Sequence, residues 1–283
     1  MGFTLNLRKK SGRISFGRKE LIVIISSIIL TTVGIKATDT LMNSRGGQTA
    51  DSGCPDGMTE ILSSDGNFCI DVYEVSAGQG CPYTDPNNQA ETRENLNIGA
   101  CQPASIKGVM PWRNISQNQA ASACAKAGKR LPTGKEWQAA ALGTPDKSAD
   151  WSAEDCQVAK NWVSQPGASG SGERCKSSAG AYDMVGNVWE WVQGSVYNGE
   201  FDSKALPKQG YISGLDEVAM PISTAETPDE NYFEDYLWIK TSGTRGIARG
   251  GYWDNDSEAG AYSAYIVNEP SFAGIGIGFR CVK

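Results

Sequence analysis

The sequence predicts an α+β domain, loop-rich and disulfide-linked, carried behind an N-terminal transmembrane helix. Three observations support this. An uncharged apolar run, LIVIISSIILTTVGI at 21–35, follows a basic stretch. All eight cysteines lie beyond that run. Two short strand patterns are followed by two capped helix patterns, after which regular periodicity fades.

The apolar run comes first in the chain. A spanning helix needs roughly 20 apolar residues, so residues 37–42 extend the run and Lys36 snorkels at its edge. Arg8, Lys9, Lys10, Arg13, Arg18 and Lys19 precede it, which places the N-terminus in the cytoplasm and the rest outside. The resulting division is a basic cytoplasmic segment at 1–20, a signal anchor at 21–42, a linker at 43–53 and a domain at 54–283. Two other readings stay open, and both also export the domain. One is a cleaved signal peptide, for which Ile35-Lys36-Ala37 lacks the small-x-small pattern. The other is a pilin-like leader: FGRKELIVIISS resembles the start of a type IV pilin, with Phe16 first and Glu20 fifth, although Ser15 stands where such leaders carry glycine.

An even number of cysteines in an exported segment reads as four disulfides, and no C-x-x-C pair supports a thiolate metal cluster. The segments MTEIL and FCIDVYE read as strands joined by the turn SSDGN, a hairpin that Cys54 and Cys69 would close. Further on, Ser116 caps a helix whose Ala120, Ala123, Cys124 and Ala127 share one face before Gly128 ends it. A second helix opens at Thr133-Gly134-Lys135-Glu136, which has capping-box spacing, and buries Trp137 and Ala141. Residues from Asp150 onward show little period. The stretch 193–247, with its acidic and aromatic DENYFEDYLW, reads as an insertion packed on the domain.

Composition excludes several functions. The chain has no histidine, which removes Ser-His-Asp and Cys-His nucleophile pairs and His-ligated metals. Net charge is -6, and the basic residues crowded before Ala37 leave the remainder more acidic still. Such a surface repels phosphate backbones, so nucleic acid is not an expected partner, and it suits calcium.

The strings GKRLPTGKEWQAAA (128–141), GAYDMVGNVWEWV (180–192), ARGGYW (248–253) and GFRCV (278–282) resemble, in order and spacing, the formylglycine-generating enzyme or sulfatase-modifying factor family. The resemblance implies a C-type lectin-like fold with two helices beside small, twisted antiparallel sheets. It also implies a Cys124–Cys281 bond, which leaves Cys81 with Cys101 and Cys156 with Cys175 paired by proximity. In YDMVGNVWEW, Asp183 and Glu190 can offer carboxylate oxygens while the turn at Gly186 and Asn187 aims the carbonyls of Gly186 and Val188 into the same space. Calcium takes such hard ligands, and in the resembled family the positions matching Asp183, Gly186, Val188 and Glu190 bind it. Enzymes of that family hold copper with two cysteines at positions matching Asn255 and Gly260, and neither thiol is present here.

The C-terminal NDSEAGAYSAYIVNEPSFAGIGIGFRCV is also similar to the variable region of retroelement-diversified proteins, which display changeable side chains on the same lectin-type fold. That resemblance implies a ligand-binding set of Tyr252, Asp254, Asp256, Tyr262, Tyr265, Val267 and Phe272, with Gly274 and Ile275 as further varied positions. They stand in a frame of Gly250, Gly251, Trp253, Pro270, Gly278, Phe279 and Arg280. Tyrosine gives large contact area at low entropy cost. The function expected is therefore non-catalytic recognition of an extracellular protein or polysaccharide by an exported, membrane-anchored domain. An oxidoreductase of the family with a displaced site and a pilin-like surface adhesin are the alternatives.

Overall fold

The computed structural model describes residues 53–283; the basic segment, the apolar run and nearly all of the linker lie outside them, and with them the anchor, signal-peptide and pilin readings. Among the described residues no helix is long and apolar enough to cross a membrane.

The domain opens with the expected hairpin. Strands β1 (Met58–Ile61) and β2 (Phe68–Asp71) pair antiparallel from Met58↔Asp71 to Ile61↔Phe68, and Cys54–Cys69 ties the lead-in to β2. Strand β3 (Val75–Ala77) pairs with β4 (Pro103–Ser105). Between them lies a helix that the sequence pattern did not reveal, α1 (Gln89–Asn97), capped by the Asn88 side chain. Its buried face is polar. Thr92 Oγ1 donates to the Asn114 carbonyl and accepts from Trp112 Nε1, while Asn95 Nδ2 donates to the Tyr83 carbonyl. No apolar stripe marks a helix that docks through hydrogen bonds.

Helices α2 (Gln117–Lys126) and α3 (Gly134–Ala141) form as the sequence predicts. Ser116 and Gln119 make a reciprocal capping box on α2, and Thr133 and Glu136 make another on α3. Such caps satisfy N–H groups that the first turn leaves without intrahelical partners. Ala120, Ala123 and Cys124 are wholly buried, as are Trp137 and Ala141. Gly128 takes a φ of 66°, the left-handed conformation that lets glycine end a helix.

Residues 142–188 contain neither helix nor strand, in line with the loop-rich expectation. Beyond them that expectation fails. Strands β5 (Trp189–Tyr197), β6 (Glu200–Phe201), β7 (Lys204–Ala205), β8 (Gly210–Leu215), β9 (Pro221–Ala225), β10 (Tyr236–Ile239), β11 (Thr244–Arg249), β12 (Ala264–Ile266) and β13 (Ile277–Phe279) form one sheet, ordered β7-β6-β5-β11-β12-β10-β8-β9, with β13 alongside β5. The stretch 193–247 supplies much of this sheet, so it is structural framework rather than an appendage. Val196, Ile212, Leu237 and Ile247 from it are buried in the same core as Trp137, Val192 and Ile266. The sheet is mixed rather than wholly antiparallel, since β10 runs parallel to β12 and β13 parallel to β5. Glycines, bulges and very short strands hide the period-2 signal.

A second apolar cluster packs α2 on the sheet through Trp112, Ile115, Ala120, Ala123, Trp191 and Phe279. Cys124–Cys281 crosses it, joining positions 157 residues apart. Cys81–Cys101 and Cys156–Cys175 complete four disulfides, all paired as expected, and no cysteine is free. The α+β, C-type lectin-like, disulfide-linked fold is thus observed, with three α-helices among the described residues where two were expected. Four oxidised pairs suit an exported domain.

Candidate functional site

Neighbouring strands bring three aromatic rings together. Trp238 of β10 stands opposite Tyr265 of β12, and Ile277 of β13 stands opposite Trp189 of β5. The Trp189 ring meets Trp238 edge-on and tilts against Tyr265, each at 5.3 Å between centroids. They line a cleft of about 470 Å³, rimmed by Tyr252, Asn255, Asn268, Phe272 and the run from Gly274 to Ile277. The wall carries no charged side chain. Phe272 is 41% exposed and Ile275 57% exposed, so large apolar groups stand in water at the mouth.

Local chemistry fixes this rim. Gly250 and Gly251 hold φ of 94° and 87°, a region that side chains disfavour, and a Cβ on Gly251 would come within 2.3 Å of Ala259 Cβ. The chain then turns at Tyr252, whose N–H donates to Asn255 Oδ1 at 2.9 Å and whose ring lies edge-on to buried Trp253. Asn268 Nδ2 donates to the Tyr265 hydroxyl at 3.1 Å. Burial pushes the Tyr252 and Tyr265 phenols up, keeping both protonated at neutral pH. The cleft therefore offers aromatic faces, hydroxyls and amides, which suit contact and hydrogen bonding with an uncharged group.

Of the expected ligand-binding residues, Tyr252, Tyr265 and Phe272 meet in the cleft. The other four do not. Asp254 is exposed and paired with Lys160 at 2.6 Å, and Asp256 is exposed in a short 3-10 turn. Tyr262 packs instead on Tyr232 and Phe233, and Val267 does not reach the wall. Side chains alternate along β12, so Tyr265 faces the cleft while its neighbours Ala264 and Ile266 are buried on the other side. Trp189, Trp238 and Asn268 were not foreseen. Trp238 lies in the stretch read as an insertion, where the aromatic DENYFEDYLW was the one available signal.

The frame beneath the cleft is an ion pair. Arg280 Nε and Nη2 donate to Glu190 Oε2 and Oε1 at 2.7 and 2.6 Å, and Trp137 Nε1 donates to Glu190 Oε2 at 2.6 Å. Arg280 also donates to the carbonyls of Asp71 and Tyr182. Glu190 is thereby committed, so the set Asp183, Gly186, Val188 and Glu190 does not fit calcium as the motif groups it. Asp183 accepts from the Gly170 N–H through Oδ2, while its Oδ1 has no partner among the described residues. Burial pushes its carboxyl up to about 7. Glu74 is also wholly buried, bonded to Ser169 and Asn187 through Oε2 but open at Oε1. Burial, then the neighbouring Asp183 and Glu190, hold its carboxyl well above the usual range. Copper does not fit either. Asn255 and Gly260 offer no soft ligand, and every cysteine is oxidised.

Residues 59–283 match the family described as sulfatase-modifying factor enzyme 1-like domain. A curated relative, the inactive C-alpha-formylglycine-generating enzyme 2 of Bos taurus, is 29% identical over 126 residues, which are 38% of this chain and 41% of that protein. The match thus spans about two fifths of the relative's length. Among solved structures, the Major Tropism Determinant I1 variant aligns at a TM-score of 0.44 and 19% identity, over 81% of this chain and 52% of its own. The Treponema denticola variable protein 1 aligns at 0.37 and 13%, over 81% and 99%.

Proposed function

The chain belongs to the sulfatase-modifying factor enzyme 1-like family, and from that premise we propose that it is a non-catalytic recognition protein, exported and membrane-anchored, whose ligand docks in the aromatic cleft. The observation that carries this reading is the cleft itself: three strands and the 252–277 segment build an open, uncharged wall of rings. Exposed Phe272 and Ile275 at its mouth cost solvation unless something covers them.

The inactivity in the Bos taurus relative's name points the same way. So does the oxidation of all eight cysteines, since the family's chemistry needs free thiolates. The partner is an extracellular protein or polysaccharide presenting an uncharged aromatic, apolar or sugar group to the rings. Residues 21–42 anchor the protein and the domain faces outward.

Two surveys with the detergent-solubilised full chain test the reading: immobilised glycans, and purified surface proteins. The reading expects a partner whose binding is insensitive to salt, because the cleft is uncharged, and is weakened by about thirtyfold in Phe272→Ala. Binding that persists unchanged in Phe272→Ala, or formylglycine formation by the protein, would refute it.

A further inference from the structure

Away from the aromatic cleft, two carboxylates converge over the backbone of Gly260. Asp235, just before β10, is wholly buried, and Asp146, in the loop after α3, is half-buried. A methyl group on residue 260 would stand 1.8 Å from Asp235 Oδ1 and 2.3 Å from Asp146 Oδ2. The two acids therefore close on one point, and only glycine fits beneath them. The Tyr262 N–H donates to Asp235 Oδ2 at 2.6 Å, and the Ala261 N–H to Asp146 Oδ2 at 3.3 Å. Asp235 Oδ1 and Asp146 Oδ1 are buried with no hydrogen-bond partner among the described residues.

Nearby cations do not resolve this. Arg249 is buried, but its Nη1 and Nη2 donate to the carbonyls of Ala219 and Ala261. Lys147 pairs with Asp155 at 2.9 Å. With both acids ionised, one guanidinium would leave an uncompensated negative charge in a low-dielectric site, which costs several kcal/mol until a proton or a cation neutralises it. Above Asp146 opens a cleft of about 440 Å³, lined also by Asp150, Glu230 and Glu234, with Lys147, paired to Asp155, as its one cation. Such walls draw cations inward.

We propose that Asp146 and Asp235 bind a hard divalent cation of the calcium class, entering through the acidic cleft. Oxygen-only donors, two of them open, and an acidic approach match the coordination that calcium takes, with waters from the cleft filling the remaining positions. Burial holds the Asp235 carboxyl well above the usual range and the Asp146 carboxyl up to about 7, so the cation displaces a proton as it binds. The site is independent of the aromatic cleft.

The test is calorimetric titration of calcium chloride into the metal-stripped full chain at pH 7.5, with melting temperatures recorded to confirm folding. Calcium is expected to bind the wild type and to raise its melting temperature. Asp235→Asn and Asp146→Asn should each weaken binding by about tenfold or more, since each removes one charged ligand. Asp183→Asn, in the other carboxylate cluster, and Phe272→Ala should leave it unchanged. If Asp235→Asn fails to fold, Asp146→Asn, at the less buried of the two positions, carries the test. No calcium binding by the wild type would show that the two acids share a proton instead and would overturn the proposal. Binding lost in Asp183→Asn but kept in Asp146→Asn would overturn it equally.

Discussion

Arg280 and Glu190 form a bidentate pair with side chains 0% and 1% exposed. It locks β13 to β5 directly under the aromatic cleft. Removing one member strands a buried charge, which costs about 3–5 kcal/mol. Arg280→Ala should lose that much in urea unfolding, whereas joint replacement of both residues by apolar ones of similar volume should cost less than the single change. A loss below about 1 kcal/mol in Arg280→Ala would mean that the pair does not support the frame.

The Cys124–Cys281 bond joins α2 to the end of the chain across 157 residues. On the chain-entropy model, closing so long a loop stabilises by about 5 kcal/mol. The double variant Cys124→Ala/Cys281→Ala should lose most of that, and non-reducing peptide mapping of the wild type should recover the linked peptide. Finding either residue as a free thiol would contradict the fold described above.

Burial pushes the Asp183 carboxyl of the folded chain up to about 7, against 3.8 for the free group. Between those values the folded state keeps a proton that the unfolded state has released. Its contribution to stability therefore falls as pH rises from about 4 to 7 and levels off above. In chelator, wild-type stability should decline from pH 5 to pH 8, and Asp183→Asn should be flatter and more stable at pH 8 by a few kcal/mol. Equal slopes in the two proteins would show that Asp183 is not buried as described.

Much of the fold was legible because its signals are local. Ser116, Thr133 and Glu136 announce helix starts, and the turn SSDGN announces the first hairpin. Helix α1 was hidden because Thr92 and Asn95 dock it through hydrogen bonds rather than an apolar stripe. The large sheet was hidden because its strands are short, bulged and partly parallel. At the site, the sequence named Tyr252, Tyr265 and Phe272 but could not say that Tyr262, three residues from Tyr265, packs elsewhere. Trp238 was out of reach because only the β10–β12 pairing brings it beside Tyr265. For Glu190 the motif gives the carboxylate but not its partner, since Arg280 lies 90 residues away.

The chain should not convert cysteine to formylglycine. Copper-loaded protein incubated with a sulfatase-type peptide should leave the thiol intact by mass spectrometry, because Asn255 and Gly260 replace the two ligands and the remaining cysteines are oxidised. Aldehyde above a no-enzyme control would restore the oxidoreductase reading.

The central claim is that the cleft binds a ligand rather than completing the core, and Phe272 and Ile275 separate these alternatives because both stand exposed at its mouth. The most direct measurement pairs partner affinity with unfolding free energy for Phe272→Ala and Ile275→Ser in the full chain. A rim residue covered only by ligand should change stability by about 0.5 kcal/mol or less, while an aromatic anchor at an interface costs about 2 kcal/mol of binding when truncated. The account predicts unchanged stability and partner binding weakened by about 2 kcal/mol in Phe272→Ala. Stability lowered by several kcal/mol with partner binding unaffected would contradict it.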